Sequence, residues 1–165
     1  MNIPSFDQYF MTMVYLAATR SKDESTHIGA VIVGKEKEII SLGYNSFPRG
    51  IDDTVAERQE APEKYFWFEH AERNAIYLAG QNLSGCTMYT QGIPCSDCAR
   101  GVIQSGIVEV VVHGPWHRAN SKSKWKASCN RSKKMFEERG VSLRIWDGEI
   151  LAISGLRDGK EVNYI

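Results

Sequence analysis

Two short segments of the chain contain side chains suited to binding a metal ion and moving protons. His70-Ala71-Glu72 combines an imidazole with a carboxylate, and Pro94-Cys95-Ser96-Asp97-Cys98 places two thiols three positions apart. Cysteines with this spacing on the first turn of a helix point to the same side and can share a metal ion. The N-terminus of a helix also lowers a thiol pKa, which favours the thiolate that binds metal. We therefore interpret Cys95 and Cys98 as candidate metal ligands.

His70 is the third candidate ligand. Zinc favours neutral imidazole and thiolate ligands, and three protein ligands leave the fourth position open for water, as in catalytic sites. Glu72 lies two residues beyond His70 at a predicted helix start. We interpret it as the group that moves protons at the bound water, and not as a fourth ligand.

Other kinds of site share parts of this pattern. C-x-x-C alone also occurs in redox motifs and structural zinc sites, but a thioredoxin-type motif would follow the first strand of the fold. A non-enzymatic zinc module would need a fourth protein ligand, and the sequence offers none with suitable spacing. The combination H-x-E followed by P-C-x-x-C is the signature of the zinc-dependent base deaminases.

The surrounding sequence predicts the helices and strands that position these segments. Helices are predicted at residues 5–20, 70–79, 94–105 and 126–139. Strands are predicted at residues 28–33, 38–44, 86–90, 108–113 and 141–146. The first helix carries apolar residues at helical spacing, namely Phe6, Tyr9, Phe10, Met13, Leu16 and Ala17. Because helices cross over between the last three strands, these strands should be parallel, so we expect an α/β fold, a three-layer α/β/α sandwich with a five-stranded mixed sheet.

Two connections contain few regular signals. Residues 45–68 form a long stretch of the kind that usually carries function. A polar, basic loop is expected between the fourth strand and the helix at 126–139.

Length and composition favour a single intracellular domain. The 165 residues suit one domain, 1–165, in which 146–165 is expected to form a hairpin extension around Asp158-Gly159. The formal net charge of zero gives no field that would draw the chain to a nucleic-acid polymer or an anionic membrane. We see neither a secretory signal nor an apolar run that could span a bilayer, so we expect a cytoplasmic protein, in which four cysteines argue for metal binding or catalysis more than for disulfides.

Three further stretches carry a family resemblance: SKDESTHIGAVIV at residues 21–33, GYNSFPRG at 43–50 and FEHAERNAI at 68–76. Together with PCSDCARGVIQSGIVEVVV they resemble the deoxycytidylate (dCMP) deaminase family of the cytidine deaminase superfold, over about residues 10–113. The resemblance implies zinc on His70, Cys95 and Cys98, with Glu72 as the proton shuttle. It also implies hydrolysis of dCMP to dUMP and ammonia by a homo-oligomer, a hexamer or a dimer.

Substrate contacts are expected at three further residues. The resemblance implies that Asn45 hydrogen-bonds the deoxyribose or the base, although an asparagine here can also be an ordinary turn residue. Arg49 follows closely and is a candidate for the phosphate, unless it pairs with the acidic Asp52-Asp53 stretch. Trp116 can supply a stacking wall. A second set of phosphate candidates lies in the basic loop: Arg118, Lys122, Lys124 and Lys126.

The chain departs from the family pattern at two places. It has Ser46 where the family usually has glycine, and HGPWHRAN replaces the usual acidic-plus-tyrosine pattern after the fourth strand. These departures leave two alternatives open: a deaminase of another free nucleotide or nucleoside, and a nucleic-acid-editing enzyme of the tRNA adenosine deaminase type. The zero net charge disfavours the second alternative.

Overall fold

A five-stranded mixed sheet organises the part of the chain that the computed structural model describes, residues 3–151 and 154–163. Its strands are β1 (Gly29–Val33), β2 (Ile39–Tyr44), β3 (Thr87–Thr90), β4 (Glu109–His113) and β5 (Ser142–Trp146). They lie in the order β2-β1-β3-β4-β5, with β1 antiparallel to both neighbours and with β3, β4 and β5 parallel. The predicted mixed sheet is therefore confirmed.

Helix α1 (Phe6–Ala18) forms where the sequence predicts the first helix and covers one face of the sheet. Ser5 caps α1 by accepting a hydrogen bond from the Gln8 amide at 3.1 Å. The side chains that α1 buries are Phe10, Met11, Val14, Tyr15, Ala17 and Ala18. Phe6 and Leu16, two of the apolar residues at helical spacing, each remain 56% exposed. The helix is apolar on two sides, so its periodicity does not determine which side meets the sheet.

Helices α3 (Ala71–Leu78), α4 (Ser96–Gln104) and α6 (Lys126–Arg139) cover the opposite face. Side chains alternate along β1, so that Val31 and Val33 pack with the α1 core, whereas Ala30 and Ile32 pack with the core beneath α3 and α4. This arrangement confirms the three-layer α/β/α sandwich. Within the described residues, no helix combines the length and the apolar character needed to cross a membrane.

Two connections contain more structure than the sequence predicted. The segment between β2 and α3 forms a 3₁₀ turn at Ala56–Gln59 and the short helix α2 (Lys64–Trp67). The segment after β4 forms helix α5 (Gly114–Ala119), so the predicted loop is wrong at these positions. Pro115 lies in the first turn of α5, where proline favours helix initiation.

The C-terminal segment forms a hairpin of β6 (Ser154–Arg157) and β7 (Lys160–Asn163). Its two-residue turn has positive φ angles at Asp158 and Gly159, 50° and 73°, as tight hairpin turns require. Residues 152–153 and 164–165 of the predicted extension lie outside the described residues.

Candidate metal centre and active-site cavity

Three potential metal ligands converge where α3 and α4 begin. The Nδ1 atom of His70 lies 3.4 Å from Sγ of Cys95 and 3.4 Å from Sγ of Cys98, and the two sulfur atoms are 3.6 Å apart. A tetrahedral zinc ion with ordinary Zn–S and Zn–N bonds separates its ligand atoms by about 3.5–3.8 Å. The triangle of donor atoms thus has the size and the chemistry of a zinc site with three protein ligands.

Helix starts position all three side chains. His70 is the N-cap residue of α3 and Cys95 is the N-cap residue of α4, both with extended backbone angles, and Cys98 lies in the first turn of α4. Helix α3 can approach β2 closely because Gly43 has no side chain; a Cβ atom there would collide with the backbone of Ala71. This contact fixes the start of α3 over the sheet edge where β3 and β4 end, which is the usual ligand-binding edge of parallel strands.

The two thiols are electrostatically unequal. The hydrogen bond between Cys95 and Cys98, assisted by His70 and opposed by burial, lowers the pKa of Cys95 to about 4. The same hydrogen bond, together with burial, raises the pKa of the Cys98 thiol. Burial opposes protonation of His70, but the hydrogen bond with Cys95 and the negative charges of Glu72 and Cys95 together outweigh it and raise the imidazole pKa. The centre therefore already favours one thiolate ligand.

Arg73 supports the centre from outside the ligand triangle. Its guanidinium donates a hydrogen bond from Nη1 to Sγ of Cys98 at 3.5 Å and another from Nε to Glu69 at 2.6 Å. A cation hydrogen-bonded to a thiolate offsets part of the negative charge that two cysteines bring to a metal site. No sequence motif used above marks Arg73, although it lies next to Glu72 in the H-A-E-R segment.

Glu72 lies beside the ligands and faces the cavity. It is 6% exposed, and its Oε2 atom lies 3.5 Å from Sγ of Cys98. Burial raises the pKa of Glu72, and the charge of His70 partly opposes this rise. A carboxyl group in this position can accept a proton from a neighbouring group and return it.

A cavity of about 540 Å³ opens from this centre. Four aromatic side chains contribute to its wall, namely Tyr65, Phe68, Trp116 and Trp125. The Trp125 ring packs edge-on against the His70 imidazole, with ring centroids 5.3 Å apart. A cavity of this size with aromatic walls suits a nucleobase.

Trp116, which is predicted to be a stacking wall for the base, is among the residues that line the cavity. Its ring lies directly over the backbone of the connection between β3 and α4, because Gly92 has no side chain. A Cβ atom at position 92 would lie 2.5 Å from a ring carbon of Trp116.

Asn45 also lines the cavity, but most of its hydrogen-bonding capacity is used by the protein. Its Nδ2 atom donates to the Thr26 carbonyl at 2.8 Å and to Asp23 at 3.3 Å, and its Oδ1 atom accepts from the Ile28 amide at 2.8 Å. An amide oxygen can accept two hydrogen bonds. Asn45 can therefore accept one more, from a hydroxyl or amino group of a ligand.

Arg49 lies away from this cavity. It lines a separate depression of about 550 Å³ with Lys22, Asp53 and Glu69. Arg49 and Asn45 are four residues apart in sequence, but they face different depressions. The expectation that Arg49 grips the phosphate beside Asn45 is not supported by this geometry. The alternative pairing with Asp53 is also absent from the described ion pairs, because Asp53 pairs with Lys22.

The cations that do line the cavity are Lys64, Lys122, Lys124 and Arg157. Lys64 is buried and donates to Asp23 at 2.7 Å and to the Ser25 hydroxyl at 2.6 Å. The ammonium of Lys124 lies 3.9 Å from the centroid of the Tyr65 ring.

Two of the four phosphate candidates in the basic loop therefore reach the cavity, Lys122 and Lys124. Arg118 does not line it and instead pairs with Asp147 at 2.6 Å. Lys126 does not line it either.

Comparison with known proteins agrees with this geometry. The pattern of the cytidine and deoxycytidylate deaminase zinc-binding region matches residues 4–114. The deoxycytidylate deaminase of Homo sapiens is 41% identical over 144 residues, which are 83% of this chain and 77% of that protein. An uncharacterized deaminase from the luxG 3′ region of Aliivibrio fischeri is 37% identical over 141 residues, 86% of this chain and 93% of that protein.

The fold also matches solved structures. The dCMP deaminase of cyanophage S-TIM5 superposes with a TM-score of 0.64 over 88% of this chain and 100% of that chain, at 19% identity. This likeness concerns the fold, whereas the sequence matches establish the family. The chain belongs to the cytidine and deoxycytidylate deaminase family and is a zinc-dependent hydrolytic deaminase.

Proposed function

We propose that this deaminase converts dCMP and water to dUMP and ammonia. The buried carboxylate of Glu72, facing the cavity beside the triangle of His70, Cys95 and Cys98, is the observation that carries the proposal. The substrate is taken from the relatives named deoxycytidylate deaminase, of which the human protein is 41% identical.

His70, Cys95 and Cys98 are the proposed zinc ligands. A bound zinc ion supplies an activated water near neutral pH. The Glu72 carboxylate takes a proton from the water that attacks C4 of cytosine and delivers it to N3. It then carries the remaining hydroxyl proton to the departing amine, so the products are dUMP and ammonia. Because burial raises the pKa of Glu72, the protonated form needed for delivery is accessible.

The cavity suggests how the nucleotide is oriented. The base lies against the aromatic wall that includes Trp116, with its exocyclic amine toward Glu72. The free acceptor position on Oδ1 of Asn45 receives the deoxyribose hydroxyl. Lys122 and Lys124 also line the cavity of about 540 Å³ and supply positive charge for the phosphate.

A product assay tests this substrate assignment. Ammonia release is measured with dCMP, deoxycytidine, CMP, dAMP and dGMP at equal concentration. We expect the highest kcat/KM with dCMP and loss of the activity in Glu72→Gln prepared in parallel, which excludes a contaminating deaminase. Preference for a purine nucleotide would contradict the proposed substrate and leave the family assignment intact.

We further propose that the protein is a homo-oligomer, a hexamer or a dimer. The described surface exposes large apolar side chains, of which Phe66 is 81% exposed and Tyr77 is 64% exposed. Apolar groups concentrated on a surface mark contact sites for other chains. Sedimentation at assay concentration tests this, and a monomer would contradict it.

A cytoplasmic location completes the proposal. The four cysteines are all free thiols, and two of them belong to the candidate metal centre. Free thiols persist in reducing compartments. A fractionation experiment that finds the protein with the cytoplasmic markers would support this location, and recovery with an oxidising compartment would contradict it.

A further inference from the structure

The C-terminal hairpin is attached to the turn that forms one side of the active-site cavity. The Gly159 amide donates a hydrogen bond to the Ser25 carbonyl at 2.9 Å, and Arg157 forms an antiparallel bridge with Thr26. Both Ser25 and Thr26 line the cavity, and so do Arg157 and Asp158 at the hairpin tip. The hairpin thus adds a charged edge to the cavity from outside the family region, which ends at residue 114.

The turn at residues 23–26, to which the hairpin is attached, is stabilised by several hydrogen bonds to Asp23. Asp23 accepts hydrogen bonds from the Ser25 amide at 2.8 Å, from the Thr26 amide at 3.1 Å and from the Lys64 ammonium at 2.7 Å. Because both Asp23 and Lys64 are buried, these bonds are shielded from water. The backbone of Arg157 is therefore bridged to a rigid segment.

Cations outnumber carboxylates among the described residues that line the cavity, which include Lys64, Lys122, Lys124 and Arg157 but only Asp23, Glu72 and Asp158. Lys122 and Lys124 come from the connection between α5 and α6, and Arg157 comes from the hairpin. Burial and the nearby charge of Lys64 lower the pKa of Lys124, and the carboxylates of Asp23 and Asp158 only partly oppose this decrease. Asp158 faces Arg157 across 3.6 Å, but it is 74% exposed and the pair is weakened by solvent. An anionic ligand would relieve this excess of positive charge.

On the basis of the proposed function, we infer that Arg157 binds the 5′-phosphate of the nucleotide and makes the enzyme select monophosphates over nucleosides. A guanidinium can donate two parallel hydrogen bonds to phosphate, which a lysine ammonium cannot match in geometry. The backbone bridge to Thr26 holds Arg157 at the cavity edge before the ligand arrives. Lys122 and Lys124, in the connection between α5 and α6, add positive charge to the same cavity.

Replacement of Arg157 by glutamine tests this role. Its bridge to Thr26 is made by backbone atoms, so the variant keeps the hairpin attachment. We expect kcat/KM for dCMP to fall by about tenfold to a hundredfold, the effect of losing charge-assisted hydrogen bonds, whereas kcat/KM for deoxycytidine stays within about twofold. Arg157→Lys should recover part of the loss. Arg139→Gln, at the exposed end of α6, is the matched control and should leave kcat/KM unchanged for both substrates.

Calorimetric titration with inorganic phosphate separates this inference from the proposed function. We expect wild-type protein to bind phosphate at least about tenfold more tightly than Arg157→Gln, independently of turnover. Equal phosphate affinity in the two proteins would overturn the role of Arg157 even if dCMP is deaminated. Arg157-dependent phosphate binding without ammonia release from dCMP would uphold the anion site and refute the proposed function.

A variant that should strengthen phosphate binding adds a second test. Asp158→Asn removes the carboxylate next to Arg157 and keeps a residue type that tolerates the positive φ of the turn. We expect phosphate to bind about twofold to fivefold more tightly, because Arg157 loses its competing partner. Weaker phosphate binding in this variant would contradict the inference.

Discussion

The buried ion pair between Lys64 and Asp23 should be a major source of stability for the substrate side of the cavity. The two side chains are 9% and 7% exposed, and the ammonium also donates to Ser25 at 2.6 Å. Lys64→Met removes the cation and leaves the Asp23 carboxylate buried with only neutral donors. Such a loss destabilises a protein by about 3–5 kcal/mol. For a chain of this size we expect a decrease in Tm of about 6–20 °C.

Urea unfolding at pH 7 measures this effect directly. The double variant Lys64→Met/Asp23→Asn should recover part of the lost free energy of unfolding, because it no longer buries an unpaired charge. Lys134→Met, on the exposed side of α6, is the control and should change the free energy by less than about 0.5 kcal/mol. If Lys64→Met lowers the free energy of unfolding by less than about 1 kcal/mol, the reasoning is refuted, because a solvent-exposed ion pair contributes that much.

Three further changes test other parts of the account. Arg73→Leu should weaken zinc binding by about tenfold to a hundredfold in a chelator competition, because Cys98 loses its hydrogen-bonded cation. Gly92→Ala should displace Trp116 and lower kcat/KM for dCMP by about threefold to tenfold, with zinc content unchanged. Burial lowers the pKa of His113, so the unfolded chain binds the proton first as pH falls below about 6.5. His113→Gln should therefore lose less stability than wild type between pH 7.5 and pH 5.5, by up to about 1 kcal/mol in urea unfolding.

Matched controls separate these effects from general damage. Arg100→Leu removes an exposed arginine of α4 and should leave zinc affinity unchanged. A Cβ atom at Gly101 would meet only ordinary contacts, the nearest at 3.4 Å, so Gly101→Ala should not reduce kcat/KM. Zinc affinity equal to wild type in Arg73→Leu, full activity in Gly92→Ala, or an unchanged pH slope in His113→Gln would each contradict the corresponding argument.

The metal centre could be predicted from the sequence because the features that form it are local. Caps and spacing place His70, Cys95 and Cys98 at helix starts, and the strand pattern brings those starts to one edge of the sheet. The structure places the three donor groups within 4.8 Å of one another. Local rules of this kind depend on neighbours a few positions apart, so a single sequence reveals them.

The position of Arg157 at the cavity could not be predicted in this way. Arg49 is a candidate for phosphate binding on the basis of its closeness to Asn45 in sequence. The chain turns between these residues, so that their side chains line different depressions. The cavity instead combines Lys64 with Arg157 through the turn at residues 23–26. These groups are far apart along the chain, and no periodicity or motif connects them. Long-range packing decides such contacts.

The exchange of Glu72 for glutamine, with zinc measured in the same sample, tests the catalytic assignment most directly. The amide keeps the size of the side chain but cannot take the proton from water. We expect the variant to retain one zinc ion per chain and to lose ammonia release from dCMP by about a hundredfold to ten-thousandfold in kcat. Loss of zinc from the variant would make Glu72 a ligand, and retention of wild-type turnover would show that the proton moves through another group; either result would contradict the account.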